Sequence, residues 1–274
     1  MSEPAAGPSG HVLAVEARSL VRRFGSVLAV DRVDLSVPAG TVFGLLGPNG
    51  AGKTTIIKML TTLLPLTAGS ARVAGFDVSR DPYEVRLRIG YVPQMPSADS
   101  ELSARENLTI SAELYGIPRS QRPSMIEDAL ALMDLCEAGD RLVKHYSGGM
   151  IRRLEIAQSV LHKPSVVFMD EPTIGLDPAA RRTVWKHVRS LRSRERTTIF
   201  MTTHYMEEAD ELCDTVAFMH AGRIARLGAP SALRAALGSD ATLDDVFIQL
   251  AGQEPEKENY ADAVRARRAA RNLE

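Results

Sequence analysis

The residues from Gly47 to Thr55, Gly-Pro-Asn-Gly-Ala-Gly-Lys-Thr-Thr, carry the most specific chemistry in this sequence. Gly47, Gly52, Lys53 and Thr54 occupy the fixed positions of G-x-x-x-x-G-K-[ST], between an apolar run at Val42–Leu46 and another at Ile56–Leu60. That order predicts strand, glycine-rich turn, helix. Glycines permit the positive φ that lets backbone approach a ligand closely. Along Gly47, Pro48, Asn49, Gly50, Ala51, Gly52, Lys53, Thr54 and Thr55 the freed N–H groups and the helix N-terminus would then face an anion. Lys53 would bridge β- and γ-phosphates, and the Thr54 hydroxyl would take Mg²⁺. The plainer alternative is a glycine-rich turn before an ordinary helix. Kinases, GTPases, motors and transporters all use such a loop, so the rest of the chain must decide among them.

Other candidates stand at strand ends. The apolar run Ser165–Met169 closes on Asp170-Glu171. Asp170 would hold Mg²⁺ through water, and Glu171 could take a proton from an attacking water. Gln94 follows the short run Ile89–Pro93, and His204 follows Thr197–Thr202; open α/β sheets place ligands at such carboxyl ends. Taken alone, Gln94 reads equally as a solvated loop residue and His204 as a structural histidine. Ser147-Gly148-Gly149 opens another helical pattern, which makes it either a second anion site or an ordinary cap. Phe24 could stack on adenine or be a plain core phenylalanine.

The elements that must position these groups follow from periodicity and breakers. Val12–Ala17 and Val33–Val37 read as short strands, with Phe24-Gly25 in a turn region between them. Residues 73–78 read as a turn flanked by strand. From about 95 to 162 the pattern is helical: Ser103-Ala104-Arg105-Glu106 is a capping box, with the helix ending at Tyr115-Gly116, and Met125–Leu135 is a second helix with Ile126, Leu130 and Met133 on one face. Gly175-Leu176-Asp177-Pro178 turns into a helix with Val184, Val188 and Leu191 buried. Thr215–Met219 and Arg223–Leu227 form a hairpin around Ala221-Gly222. Ser231–Leu237 and Leu243–Leu250 are short helices. Residues 1–10 read as a disordered start, and the charged stretch from Gly252 onward as a solvated tail.

Composition narrows the function. The chain has 274 residues, 45% hydrophobic and 24% charged, with formal net charge −1, so no global basic field points to nucleic acid. No run of 18 apolar residues is present, and the N-terminus lacks the pattern of a signal peptide. A membrane role would have to pass through a partner. Cys136 and Cys213 lie far apart and lack metal-ligand spacing, as free thiols would.

Taken in order, the aromatic, the glycine loop, the glutamine, Ser-Gly-Gly, the Asp-Glu strand end, the Gly-Leu-Asp turn and the histidine resemble the nucleotide-binding subunit of ATP-binding cassette (ABC) transporters. The resemblance covers about Val12 to Leu237. It implies an α/β P-loop NTPase (RecA-like) core with a small antiparallel β lobe and an inserted α-helical subdomain at about 95–162. The cassette would span 11–238, with an extension and tail at 239–274. It further implies that Gly47–Thr54 is the Walker A loop, Val166–Asp170 Walker B and Glu171 the catalytic glutamate. By the same resemblance, Gln94 senses Mg²⁺ and the membrane partner, Ser147–Gly149 is the signature loop, Asp177 the D-loop aspartate, His204 the switch histidine and Phe24 the adenine-stacking residue. Two subunits of this family pack head to tail around ATP, so a homodimer is implied. Tyr-Ser-Gly-Gly-Met replaces the common Leu-Ser-Gly-Gly-Gln, and Phe24 the usual tyrosine. The segments Tyr146–Met150, Ile174–Asp177 and Leu243–Leu250 resemble most the drug-exporter branch, which includes daunorubicin/doxorubicin-resistance ATPases. These work with a separate ABC-2 type permease at the cytoplasmic face of the cell membrane. The alternative is a soluble regulatory ATPase of the same type that uses no permease.

Overall fold

The computed structural model describes residues 12–195, 197–238 and 240–251. Its strands are β1 (Leu13–Phe24), β2 (Val27–Pro38), β3 (Val42–Leu46), β4 (Ala68–Val73), β5 (Phe76–Asp77), β6 (Ile89–Val92), β7 (Val166–Asp170), β8 (Thr198–Thr203), β9 (Thr215–His220) and β10 (Arg223–Gly228). Its α-helices are α1 (Lys53–Leu60), α2 (Pro82–Arg86), α3 (Ala104–Leu114), α4 (Arg122–Leu132), α5 (Gly148–Val160), α6 (Pro178–Glu195), α7 (Met206–Leu212), α8 (Pro230–Ala235) and α9 (Leu243–Ala251).

Six strands form the central sheet in the order β10-β9-β3-β8-β7-β6, parallel except for the β9–β10 hairpin. Every residue of β3, β7 and β8 is buried, as expected for inner parallel strands covered on both faces. Their side chains divide with period two. Phe43, Leu45, Phe168 and Phe200 join α1 and the β lobe in one core, with the Phe200 ring 5.0 Å from Phe43 and 5.4 Å from Phe168. Val42, Val167, Met169, Ile199 and Met201 join the other core with residues of α3–α7 and α9. A second, antiparallel sheet, β2-β1-β4-β5, makes the lobe beside the glycine loop. The architecture is thus the α/β P-loop core with an antiparallel lobe and an inserted set of helices.

Three expectations needed adjustment. β1 and β2 continue well past Ala17 and before Val33, meeting in a hairpin at Gly25-Ser26; positive φ at Ser19 (46°) and Arg32 (50°) lets the ribbon bend without ending. Phe24 is therefore the last residue of a strand rather than part of a turn. α4 begins three residues before Met125, because Pro123 sits in its first turn, where its missing N–H costs nothing. It stops before Leu135, because Asp134 takes φ 52° while the Leu135 amide folds back to donate to Leu130 O at 2.9 Å. The capping box of α3 is complete in both directions, and Gly116 leaves the helix at φ 69°. The readings of residues 1–10 and of the stretch from Gly252 onward lie outside the described residues.

Candidate active site

The glycine loop connects β3 to α1 and is tightly pinned. A Cβ at Gly47 would lie 2.2 Å from Met219 O, and one at Gly52 would lie 2.5 Å from Ala29 O. Gly52 also takes φ 109°, a left-handed conformation that suits glycine. No side chain caps the start of α1, and its first turn carries no acid. The free N–H groups there suit an anion. Lys53 is buried beneath the loop, and its Nζ donates to Gly47 O at 2.7 Å and Pro48 O at 3.1 Å.

β7 delivers Asp170 and Glu171 to the same place. Glu171 Oε1 lies 3.3 Å from Lys53 Nζ, and Oε2 lies 2.7 Å from His204 Nδ1. Burial opposes ionisation of Glu171; the His204 hydrogen bond and the Lys53 charge outweigh it and hold the carboxyl below the usual range. Glu171 stands at φ 48°, with its N–H shared between Thr202 Oγ1 at 2.9 Å and Thr202 O at 3.2 Å. The same Thr202 hydroxyl donates to Asp170 Oδ1 at 2.6 Å. Thr202 therefore orients both acids, although nothing in the sequence marks it beyond its place at a strand end.

The donor set fits a small hard cation beside phosphate. Asp170 and the Thr54 hydroxyl are oxygen donors of the kind Mg²⁺ takes. Among the described residues no group of three or more His, Cys, Asp or Glu converges, and a Mg²⁺ completed by phosphate oxygens needs none. Gln94 is exposed just beyond β6.

The remaining candidates stand apart. Ser147 is exposed and caps α5, its Oγ accepting from Met150 N at 3.3 Å. A Cβ at Gly149 would meet Ala180 Cβ at 2.9 Å, and one at Gly148 would meet Leu176 Cδ2 at 3.5 Å. Ser147–Gly149 is thus packed on the segment that carries Asp177. Asp177 caps α6, accepting from Ala179 N and Ala180 N at 2.9 Å each. Among the described residues, no hydrogen bond or ion pair joins either group to Lys53, Glu171 or His204. Phe24 is 44% exposed, with the Arg22 guanidinium 4.5 Å over its ring.

The profile of the ABC transporter family matches residues 30–174. The chain belongs to the ABC transporter family. Its members include the daunorubicin resistance ATP-binding protein DrrA3 of Streptomyces coeruleorubidus, 45% identical over 232 residues, which are 85% of this chain and 72% of that one. The Nod factor export ATP-binding protein I of Paraburkholderia xenovorans is 40% identical over 88% of this chain and 78% of its own length. A solved ATP-binding subunit of an ABC transporter superposes with TM-score 0.77 at 26% identity, over 87% of this chain and 99% of that one. As an ABC ATP-binding subunit, this chain binds and hydrolyses ATP. No helix among its described residues is long and apolar enough to cross a membrane.

Sequence reasoning missed several groups around this ABC site. Glu208 of α7 is fully buried, and its Oε1 accepts from Thr173 Oγ1 at 2.8 Å and Trp185 Nε1 at 2.9 Å. It thereby joins the loop after Glu171 to the helix after His204, and burial pushes its pKa up. In the sequence Glu207 and Glu208 are two adjacent acids, and only the tertiary fold distinguishes them. Arg152 and Glu155 of α5 were missed for the same reason.

Proposed function

We propose that this ABC ATPase energises export through a separate membrane permease of the ABC-2 type, as a peripheral subunit on the cytoplasmic face of the cell membrane. A drug-like or other hydrophobic compound is the proposed cargo. The observation that carries this reading is the 45% identity to daunorubicin resistance ATP-binding proteins across 85% of the chain.

In this reading the glycine loop and the first turn of α1 hold the phosphates of ATP, with Lys53 against the β- and γ-phosphates and the exposed Phe24 ring against adenine. The Thr54 hydroxyl, the Asp170 carboxylate and the Gln94 side chain would hold Mg²⁺, which when bound neutralises charge on phosphate oxygens. Glu171 is the base for the attacking water, and His204 orients it and faces the γ-phosphate. Lys53 and His204 both stabilise the Glu171 carboxylate. As Lys53 and His204 turn towards the γ-phosphate, that carboxylate regains basicity. Substrate binding and base strength therefore rise together. Ser147, Gly148 and Gly149, at an exposed helix start beside Asp177, close the site of a second copy in an ATP-bound homodimer.

The test is recovery of tagged protein from detergent-solubilised membranes of its own host. A polytopic permease recovered with it is the expected result. Full ATPase activity with no membrane protein attached would overturn the reading in favour of a soluble regulatory ATPase.

A further inference from the structure

His204 reaches Glu171 from a very short link. β8 ends at Thr203 and α7 starts at Met206, so only His204 and Tyr205 lie between them. The hydrogen bond between Nδ1 and Glu171 Oε2 fixes one atom of the imidazole. A ring held at one atom can still rotate, and in the scheme above that bond is given up when His204 turns towards the γ-phosphate. Another contact must then hold the ring.

Tyr205 supplies that contact. Its ring centroid lies 4.2 Å from that of His204, with the two planes 37° apart. Tyr205 is itself held at two places. Its N–H donates to Thr203 Oγ1 at 3.0 Å, which shapes the turn out of β8. The Arg181 guanidinium of α6 lies 4.1 Å from the centroid of its ring, well inside the range of a cation–π contact. Arg181 Nε is buried with no hydrogen-bond partner, and burying such a donor is costly unless something offsets it. Here the aromatic face does. The geometry points to Tyr205 and Arg181 as positioning residues: Tyr205 keeps the His204 ring aimed into the site as it exchanges Glu171 for phosphate, and Arg181 keeps Tyr205 in place. Both act through His204, so the inference rests on the role proposed above for that residue and adds what holds its ring.

Single-turnover hydrolysis by the full chain, with protein in excess over ATP, tests this, because it also reads very slow variants. Tyr205→Leu keeps apolar bulk and removes the ring. It should lose about tenfold or more in rate with ATP affinity little altered, as when a group acts in turnover rather than in binding. Tyr205→Phe keeps the ring and should recover most of the rate. Arg181→Met should lose less, about threefold, and Arg181→Lys, which keeps a cation near the ring, should recover part of that loss. The deciding comparison is made in His204→Ala. Groups that act as a unit are not additive, so Tyr205→Leu should change the rate of His204→Ala by less than about twofold. A merely structural role would instead lower that rate by the same factor again. If Tyr205→Leu folds poorly, Arg181→Met in the His204→Ala background supplies the same comparison. Wild-type rates in both Tyr205→Leu and Arg181→Met, or losses that multiply with that of His204→Ala, overturn the inference. Failure of the role proposed for His204 looks different: His204→Ala alone would hydrolyse ATP at the wild-type rate, and the inference would fall with it.

Discussion

Glu171 is reached through a backbone that few residues adopt. Its φ of 48° turns the side chain back between Lys53 and His204, and the doubly satisfied N–H at Thr202 offsets the strain. A gentle replacement isolates its chemistry: Glu171→Gln keeps the shape and one accepting oxygen, for Lys53 or His204 but not both, and gives up the charge and the proton affinity. We expect turnover to fall roughly 10²–10⁴-fold, the usual worth of a positioned general base. ATP affinity should be retained, and the ATP-bound dimer should accumulate on size exclusion. Near-normal phosphate release in that variant would remove Glu171 from its proposed role. Most residues of this site were legible because each sits in a local pattern: the glycine loop in nine consecutive residues, Asp170-Glu171 at the end of an apolar strand, His204 two residues past Thr202. Thr202 itself was not, since a threonine in a buried strand looks the same whether or not it holds two carboxylates.

At the level of elements, local signals carried well and long-range ones did not. The α3 capping box is written in four residues and forms as written. The length of the β1–β2 ribbon was hidden by its exposed arginines, Arg18 and Arg23, which look like loop until the lobe is seen to have a wet face. The grip of α5 on residues 93–97 spans 58–59 positions and left no trace in either segment alone. One more such contact makes a measurable prediction. His162, just past α5, stacks on Tyr115 at the end of α3, with centroids 3.6 Å apart and planes within 10°, and its Nε2 bonds Ile89 O at 3.0 Å. Burial pulls its pKa from 6.5 down to about 4, against the pull of the Ile89 hydrogen bond. The folded pKa lies below the unfolded one, so the unfolded chain takes up the proton first. Stability from this group is complete above about pH 6.5 and is lost as pH falls towards about 4. His162→Phe keeps the stack and removes the titration. At pH 7.5 it should cost about 1 kcal/mol, for the lost hydrogen bond. In urea melts that deficit should shrink as pH falls below 6.5 and turn into an advantage of the variant before pH 4, because the linked loss in the wild type exceeds one hydrogen bond. A deficit independent of pH would mean that His162 titrates normally.

The whole molecule divides its candidate groups between two places. Lys53, Asp170, Glu171 and His204 converge beneath the glycine loop, whereas Ser147–Gly149 packs beside Asp177 with an exposed, acid-free helix start. A single copy would leave the second set idle. A head-to-tail pair would place that helix start over the phosphate on the partner's loop, where its free N–H groups act in a water-excluded site. That arrangement can be separated from one in which each copy works alone. Lys53→Ala disables the glycine loop and leaves Ser147–Gly149 intact. Ser147→Arg does the reverse, at an exposed position where the fold loses only the cap to Met150. Each variant alone should be inactive. Mixed in equal amounts and allowed to exchange, half of the dimers hold one copy of each, and each of these has one complete site. Activity should therefore return to roughly a quarter of wild type if the sites are independent and the pairing is two-fold. Copies that work alone have no complete site in any mixture, so an activity that stays at the sum of the separate variants overturns the independent head-to-tail pair.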